Sequence, residues 1–420
     1  MRSLLARPSE AIVPSRLGRS FRWLLAAAIV NNFGDGIVLA AGPLLVASQT
    51  SDPFLVSLAV LSGKLPVLLF GVLGGAAADR FDRRRLVIAV DLCRAAALVV
   101  LVVTIVSGTV SIAVIIATLF VLGTAETFAD SASSSLMPGL VDREDLGVGN
   151  ARMQGAFLLT NQMIGPPIGA FLFVAGMALP FATNAVCFVL GALLMSRIVT
   201  SAKADLPLRP SLRTELGEGI RWLLRHPPMR TLALTIFAFN VTFGVGFSVL
   251  VLYASERLGM GAVGFGLLTT AVAIGGIVGI GVYGRLERRF SLGDIIRAGL
   301  LIETATHLAL AITTSAAVAL VTMLVFGAHE FVWGTTAETV RQRAVPDELL
   351  GRVTGVYRVA AALGIVIGTP LGGLVASAFG VAAPFWFGFI GSAFLVAVLW
   401  RRLDNIVDAG DGAVVAPDTT

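Results

Sequence analysis

Charged residues and cysteines are scarce in this chain. Only 14% of its 420 residues are charged and 56% are hydrophobic, whereas soluble domains carry about a quarter charged residues. A chain of this length could not form a water-facing surface with so few charges, so the sequence predicts an integral membrane protein. The two cysteines, Cys93 and Cys187, both lie in apolar segments. They are too few for a disulfide framework or a metal cluster, and we expect them to pack in the core.

Signatures of catalysis are also lacking. The sequence has no glycine-lysine loop for ATP, its three histidines are scattered, and no cysteines or histidines stand at metal-binding spacing. We therefore expect no enzyme activity, no cofactor and no bound metal. A net charge of +5 would suggest nucleic acid binding in a soluble protein, but the arginines lie in alternate loops, where membrane topology explains them better. We expect no nucleic acid partner.

Long apolar windows recur along the chain. Each has about 20 nearly uncharged residues, the length that a helix needs to cross a bilayer. Strands would need about 10 residues with strict alternation, and alternation is absent. The sequence therefore predicts an all-α membrane protein with twelve transmembrane helices in two six-helix bundles. The helices are expected at about 21–48, 53–78, 86–107, 111–137, 147–175, 179–200, 230–254, 262–285, 293–314, 316–340, 352–378 and 381–401.

The predicted helices divide the chain into five parts. Bundles at 21–200 and 230–402 are joined by a polar linker at 201–229, with tails at 1–20 and 403–420. Leucines at helical spacing in the linker predict an amphipathic helix on the membrane surface. Arginines recur in every second loop, and the positive-inside rule then places both termini and the linker in the cytoplasm.

The two halves resemble each other around predicted helices 5 and 11. An E-D-L sequence before helix 5 aligns with a D-E-L sequence before helix 11. The pairs that this alignment matches are Gly165 with Gly368, Pro167 with Pro370, and Gly169 with Gly372. Close glycines let helices approach and prolines bend them, so both segments suit movable contacts between the halves. Ordinary packing is the alternative, but the matched positions favour a repeat-built transporter with its site near the midplane.

Ionisable side chains inside the apolar segments are candidates for function, because they are costly there. Asp35 lies in helix 1, Glu126 and Asp130 lie one turn apart in helix 4, and Glu330 lies in helix 10. Two carboxylates so close together repel each other, which favours one of them holding a proton at neutral pH. A structural hydrogen-bonded acid is the alternative for each.

Other polar residues in the apolar segments have weaker assignments. Possible counter-ions of the acids are Lys64 and Arg358, and substrate-path candidates are Asn31, Asn32, Asn240 and Trp333. Two closely spaced pairs, Asp91 with Arg94 and Glu303 with His307, are interpreted as structural.

Three motifs resemble those of a known family. The loop G-A-A-A-D-R-F-D-R-R resembles the major facilitator superfamily signature, although Asp82 stands where glycine is usual and Ala77 where leucine is common. Helices 5 and 11 resemble the GP-containing motif of the superfamily's antiporters, and E-G-I-R-W-L-L-R-H-P resembles the branch that holds siderophore exporters and macrolide efflux pumps. The residues that carry the first two resemblances are Gly75, Asp79, Arg80, Arg83, Arg84, Gly165, Pro166, Pro167, Gly169, Gly364, Gly368, Pro370 and Gly372.

The resemblance implies roles for several residues. In the superfamily, helices 1, 4, 7 and 10 line the central cavity, which implies a cavity position for the four intramembrane acids. It also implies that Asp79 contacts the start of helix 11, near Arg352, in a latch that opens when the halves rock. Arginines that only set topology are the alternative. Gly71 and Gly75 suit close helix contact beside this latch.

The sequence as a whole predicts a secondary active transporter of the inner or plasma membrane. We expect it to export an amphipathic small molecule by alternating access with proton antiport. Its partners would be that substrate, protons and the lipid bilayer, and the protein is expected to be monomeric. One alternative is a dedicated exporter of a single self-made metabolite such as a siderophore or antibiotic. Another is a non-transporting receptor or assembly factor with the same fold.

Overall fold

The fold was analysed in a computed structural model, which describes residues 15–199 and 212–400. Regular structure in these residues is helical throughout, which confirms the predicted all-α class. We number twelve helices and name the helix between α6 and α7 the linker helix. Their bounds are α1 Gly18–Gln49, α2 Pro53–Arg80, α3 Arg83–Val106, α4 Ile112–Leu136, α5 Leu146–Ala175, α6 Leu179–Met195, the linker helix Leu212–Arg225, α7 Pro227–Phe247, α8 Ala262–Arg289, α9 Leu292–Ile312, α10 Ala316–Ala344, α11 Asp347–Phe379 and α12 Ala383–Leu399.

Ten helices in the described residues are long and apolar enough to cross a membrane. The other two numbered helices, α6 and α12, are apolar but have only 17 residues each. The number of spans and the side on which the termini lie therefore stay predictions.

The chain folds into two compact units. Within the described residues, the N-terminal unit comprises 15–50, 62–199 and 265–270, and the C-terminal unit comprises 51–61, 212–264 and 271–400. The first unit thus contains part of α8, and the second contains the start of α2. Each unit has its own apolar core, built around Phe21 and Leu136 in the first and around Met229 and Trp333 in the second.

Glycines bring α5 against α1 and α11 against α7. A Cβ placed on Gly165 would lie 2.6 Å from the Cα of Gly36, and one on Gly169 would collide with the backbone of Ile37. In the C-terminal unit, a Cβ on Gly364 would lie 2.5 Å from the Phe237 carbonyl oxygen. The α11 glycines Gly368 and Gly372 likewise contact the backbone of α7. These glycines therefore pack helices together within each unit, and movable contacts between the halves at these segments stay a prediction.

The middle of α5 is a π-helical turn. It spans Leu158–Ile164, directly before Gly165 and two prolines. Pro166 and Pro167 have no backbone N–H to donate to the preceding turn, so the regular helical ladder is interrupted and the wider turn takes up the change.

Glycines near the arginine-rich loop behave differently from the prediction. Gly71 and Gly75 have open space where a Cβ would lie, whereas a Cβ on Gly74 would lie 3.0 Å from the Thr127 carbonyl oxygen of α4. The close helix contact is therefore made by Gly74, one residue away from the signature glycine, because that is the side of α2 that faces α4.

Helix α7 is shorter than the helix predicted from the sequence at 230–254. Helix α7 ends at Phe247, and a separate π-helical turn spans Tyr253–Arg257. The Tyr253 hydroxyl donates to the Leu310 carbonyl oxygen at 2.6 Å, and the Arg257 side chain donates to the Thr313 carbonyl oxygen at 3.1 Å. These bonds fasten the turn to the end of α9, which explains why the predicted helix to 254 is interrupted.

Candidate functional site

The first polar cluster surrounds Arg94 of α3, in the N-terminal unit. Its guanidinium Nη2 lies 2.9 Å from Asp35 Oδ1 of α1, and its Nη1 lies 4.0 Å from Asp91 Oδ1. Asn31 donates through Nδ2 to Asp91 Oδ2 at 2.9 Å. The Arg94 and Asp91 side chains are 3% and 0% exposed, whereas Asp35 is 21% exposed. Asp35 is therefore the partly exposed member of an ion pair whose other member, Arg94, is buried.

Small residues in α1 bring these groups together. A Cβ on Gly34 would lie 2.9 Å from Cβ of Cys187 in α6, and Gly36 meets α5 in the same way. Helix α1 is thereby held between α5 and α6, and the side chain of Asp35 reaches α3. The guanidinium of Arg94 also lies over the ring of Phe188, 4.1 Å from its centroid, a favourable cation–π geometry.

Two further carboxylates face this cluster from α4. Glu126 and Asp130 are exposed and lie on one face of the helix, and both interact electrostatically with Arg94. Together with Asp35 and Asp91, they give four carboxylates around one guanidinium, a net charge of −3 if all were ionised. An apolar environment disfavours such an excess, so the arrangement suits the binding of a proton or a cationic ligand.

The predicted counter-ion of Asp35 needs a correction. Lys64 is exposed on α2, and the cation that binds Asp35 is Arg94. The spacing of Asp91 and Arg94 suggested a pair that satisfies itself within α3. Asn31 instead occupies one oxygen of Asp91, and the long arginine side chain reaches across to α1.

The second polar cluster surrounds Glu303 of α9, in the C-terminal unit. Its Oε1 lies 3.4 Å from His307 Nδ1, and its Oε2 lies 3.7 Å from His329 Nε2 of α10. Glu303 and His307 are 1% and 0% exposed. The neighbouring Glu330 is exposed and interacts electrostatically with both Glu303 and His329. Here a buried carboxylate lies between two imidazoles, with an exposed carboxylate beside them.

Aromatic side chains pack beside the second cluster. Trp333 stacks on Phe239 of α7, with ring centroids 5.3 Å apart. It is only 6% exposed and packs in the core of the C-terminal unit, and its place on the substrate path stays a prediction. Trp333 and His329 also line an apolar cavity of about 570 Å³ between α8, α9 and α10. Asn240 donates to the carbonyl oxygen of Ile236 in its own helix at 2.8 Å.

Two further candidates from the sequence lie outside both clusters. Asn32 is half-buried on α1, and Arg358 is exposed on α11. The roles assigned to them stay predictions.

The arginine-rich loop between α2 and α3 is fastened to its own unit. Asp79 Oδ1 lies 3.8 Å from Arg83 Nη2, and Arg83 also donates to the Ser135 carbonyl oxygen at 2.8 Å. Arg84 donates to the Ser196 carbonyl oxygen at 2.5 Å. The loop thus connects the end of α2 to the ends of α4 and α6.

The unusual Asp82 has a defined role in this loop. Its side chain accepts a hydrogen bond from the backbone N–H of Arg85 at 2.8 Å and caps the start of α3, where such caps are favoured. At the start of α11, Arg352 pairs with Glu218 of the linker helix at 2.5 Å. The predicted latch role of Asp79 stays a prediction.

Comparison with known proteins identifies the family. A family model described as transmembrane secretion effector matches residues 11–411. The chain belongs to the major facilitator superfamily. This superfamily member is 28% identical over 376 residues to the multidrug efflux pump Tap of Mycolicibacterium fortuitum, covering 86% of this chain and 90% of Tap. It is 23% identical over 402 residues to macrolide efflux protein A of Streptococcus pyogenes, covering 92% and 96%.

Solved structures of the superfamily share the fold. A bacterial homologue of the iron transporter ferroportin, crystallised in an inward-facing state, has a TM-score of 0.72 and 17% identity, covering 92% of this chain and 98% of that one. The predicted superfamily and efflux branch are therefore confirmed. This major facilitator superfamily protein is a multi-pass membrane transporter and not an enzyme.

From the sequence alone, the centres of both clusters, Arg94 and Glu303, are interpreted as members of structural pairs within one helix. A signal for them existed in the repeat. Arg94 is the twelfth residue of α3 and Glu303 the twelfth of α9, while Glu126 is the fifteenth residue of α4 and Glu330 the fifteenth of α10. Counting from the start of each helix pairs Arg94 with Glu303 and Glu126 with Glu330, although the constant register of helices 5 and 11 does not extend to these helices.

Proposed function

We propose that this transporter exports an amphipathic small molecule in exchange for protons, by alternating access across the cell membrane. The observation that carries the proposal is the Arg94 cluster. In its ion pair with Asp35, the Arg94 side chain is buried and the Asp35 side chain is partly exposed. Two exposed acids of α4 lie beside the pair. The names of the similar efflux pumps Tap and macrolide efflux protein A support a drug-like substrate.

Coupling follows from competition for the same negative charge. When Asp35 is ionised, it pairs with Arg94 across 2.9 Å. A proton on Asp35 would cancel this attraction and leave the guanidinium to the other three carboxylates of the cluster. A cationic substrate bound at Glu126 and Asp130 would instead favour loss of the proton, because both ligands neutralise the same excess charge. Protons and substrate then bind in turn.

Alternating access requires the two six-helix halves to move against each other. We propose that they do so as a monomer with twelve spans and cytoplasmic termini. We further propose that Asp79 takes part in a latch that forms in one conformation and opens in the other. Pairing with Arg83 at 3.8 Å and 61% exposure of the Asp79 side chain support this role, because the carboxylate is free to exchange partners at little cost.

The test uses everted membrane vesicles that contain the protein. Adding ethidium, a fluorescent amphipathic cation, to energised vesicles should partly discharge the proton gradient as the cation is transported. Glu126→Gln and Glu330→Gln should each abolish uphill transport while the protein is still inserted in the membrane. Glu256→Gln, an exposed acid in the turn after α7, is the matched control. Transport without proton movement would refute the coupling, and full activity in both variants would refute the site.

A further inference from the structure

Both ring nitrogens of His307 face backbone carbonyl oxygens. Nδ1 lies 3.0 Å from the carbonyl oxygen of Glu303, one turn earlier in α9. Nε2 lies 3.4 Å from the carbonyl oxygen of Thr242 in α7. Carbonyl oxygens only accept hydrogen bonds, and a neutral imidazole can donate from only one nitrogen. Both contacts are satisfied together only when the ring is a doubly protonated imidazolium.

The ring cannot easily turn away from these acceptors. A Cβ on Gly388 of α12 would lie 2.6 Å from His307 Nε2, and one on Gly246 would lie 3.6 Å from the same atom. Glycine at both positions lets α7 and α12 close directly on the imidazole. The ring is completely buried, so its orientation is set by the packing of three helices.

Glu303 supplies the opposite charge. Its Oε1 is 3.4 Å from His307 Nδ1, and within residues 15–199 and 212–400 neither of its side-chain oxygens receives a hydrogen bond. A buried carboxylate without such donors is costly unless a cation lies close to it. An imidazolium at His307 meets this need, and an imidazolium with no nearby anion would be equally costly. The geometry therefore favours the charged pair.

A path of ionisable groups leads from this pair to the protein surface. From His307 it passes to Glu303, then to His329 at 3.7 Å from Glu303 Oε2, and then to the adjacent, exposed Glu330. Helices α7 and α12, which pack directly on the His307 ring, add no charge to the path. Helix α12 contains no ionisable residue, and the single ionisable residue of α7, Arg230, lies three turns of helix away from Thr242.

We propose that Glu303, His307 and His329 form a second proton-binding site, which stores a proton as the His307 imidazolium and exchanges it through Glu330. In the exchange, His307 gives its proton to the Glu303 carboxylate, leaving a neutral imidazole and a carboxylic acid. The acid passes a proton to His329 Nε2, and the resulting imidazolium gives one to the Glu330 carboxylate. Storage of the proton follows from the geometry alone, whereas its use in transport rests on the proposed proton-coupled export.

Histidine-selective nitrogen-15 NMR of the full-length protein tests the storage directly. The chain has three histidines, so three imidazoles are observed, and each is assigned by its own His→Asn variant. Exposed His226 supplies the spectrum of an imidazole outside the cluster. At neutral pH, both nitrogens of His307 should resonate as protonated. A His307 spectrum with one unprotonated nitrogen at neutral pH would overturn the proposal.

Variants of Glu303 test the pairing. Glu303→Gln removes the counter-charge and should convert His307 to the neutral form, whereas Glu303→Asp keeps the charge and should leave the imidazolium in place. Glu330→Gln, which changes only the exposed end of the path, should also leave it in place. If Glu303→Gln leaves His307 doubly protonated, Glu303 is not its partner. Should that variant fail to fold, the spectrum of the unaltered protein still decides the protonation state.

Transport assays separate this site from the proposed function. In proteoliposomes with an imposed pH gradient, Glu303→Gln should lose uphill ethidium transport and retain movement down the ethidium gradient. Unaltered proton movement in Glu303→Gln would remove the site from the transport cycle. If the unaltered protein moves ethidium without protons, proton-coupled export fails, while the NMR result on His307 still stands by itself.

Discussion

The two halves of the molecule place opposite charges at matching positions. Arg94 and Glu303 are each the twelfth residue of their helix, α3 and α9. In the N-terminal unit a buried guanidinium is surrounded by carboxylates, whereas in the C-terminal unit a buried carboxylate lies between two imidazoles. An internal repeat can therefore keep the position of a polar centre while its sign is reversed.

The acid beside each centre is a glutamate at the same helix position in both units. Glu126 and Glu330 are each the fifteenth residue of their helix, and both are exposed. Each unit thus pairs a buried polar centre with an exposed acid that a proton or substrate can reach. The difference lies in the cationic group of each cluster: the guanidinium of the first stays charged at all relevant pH values, while the imidazoles of the second can gain or lose a proton.

The largest effect should come from removing the permanent charge. Arg94→Met leaves Asp91, which is 0% exposed, without its cation, and breaking a buried pair in this way costs about 3–5 kcal/mol. Glu303→Gln should cost less, because His307 can release its proton and become neutral. Thermal unfolding of the purified variants in detergent compares the two. If Glu303→Gln is as damaging as Arg94→Met, the distinction between a fixed and a titratable centre is wrong.

A second experiment compares the close helix packing in the two units. A Cβ on Gly165 would lie 2.6 Å from the Cα of Gly36, and one on Gly244 would lie 3.2 Å from the Cα of Gly368. Gly165→Ala and Gly244→Ala should both lower the free energy of unfolding, since overpacking of close contacts costs about 1–3 kcal/mol. The shorter contact predicts the larger loss for Gly165. Gly75→Ala, which enters open space, is the control, and destabilisation by this change would contradict the packing.

The fold could be predicted from the sequence because it depends on composition and periodicity. Apolar length predicted the helices, and the recurrence of Gly165 and Gly368 in one register predicted the repeat. The partners of those glycines could not be predicted, because small residues permit close approach without saying which helix approaches. The structure places them within each unit, against α1 and α7.

The polar clusters show a second limit of prediction. Intramembrane acids such as Asp35 and Glu126 were found because charge in an apolar segment is conspicuous. Their partners were not found, since spacing within one helix pairs Arg94 with Asp91 and cannot report that a long side chain crosses to α1. In the same way, His307 and Glu303 look self-sufficient in sequence, and the contribution of His329 depends on the packing of α10 against α9.

A smaller effect is expected from removing one buried hydrogen bond of the C-terminal unit. The Tyr357 hydroxyl of α11 donates to the Met229 carbonyl oxygen of α7 at 2.5 Å, and the side chain is buried. In the register that aligns Gly165 with Gly368, the opposite residue in α5 is the exposed Gln154. Tyr357→Phe should cost about 1 kcal/mol of unfolding free energy, measured by thermal unfolding, and Gln154→Ala should cost almost nothing. Equal losses of unfolding free energy in the two variants would mean that α5 and α11 are anchored equally strongly.

The smallest effect on stability should come from the two exposed ion pairs at the arginine-rich ends. Asp79 pairs with Arg83 at 3.8 Å, and Glu218 pairs with Arg352 at 2.5 Å. Exposed pairs contribute about 0–1 kcal/mol, so neither Asp79→Asn nor Glu218→Gln should shift the unfolding temperature appreciably. Turnover separates them: a latch at Asp79 predicts slower ethidium export in Asp79→Asn with binding retained, whereas Glu218→Gln should export at the normal rate. Stability should be nearly the same in the two variants, so a slower rate in Asp79→Asn alone would assign the carboxylate to conformational exchange. Normal export rates in both variants would mean that the arginine-rich loop only sets the membrane topology.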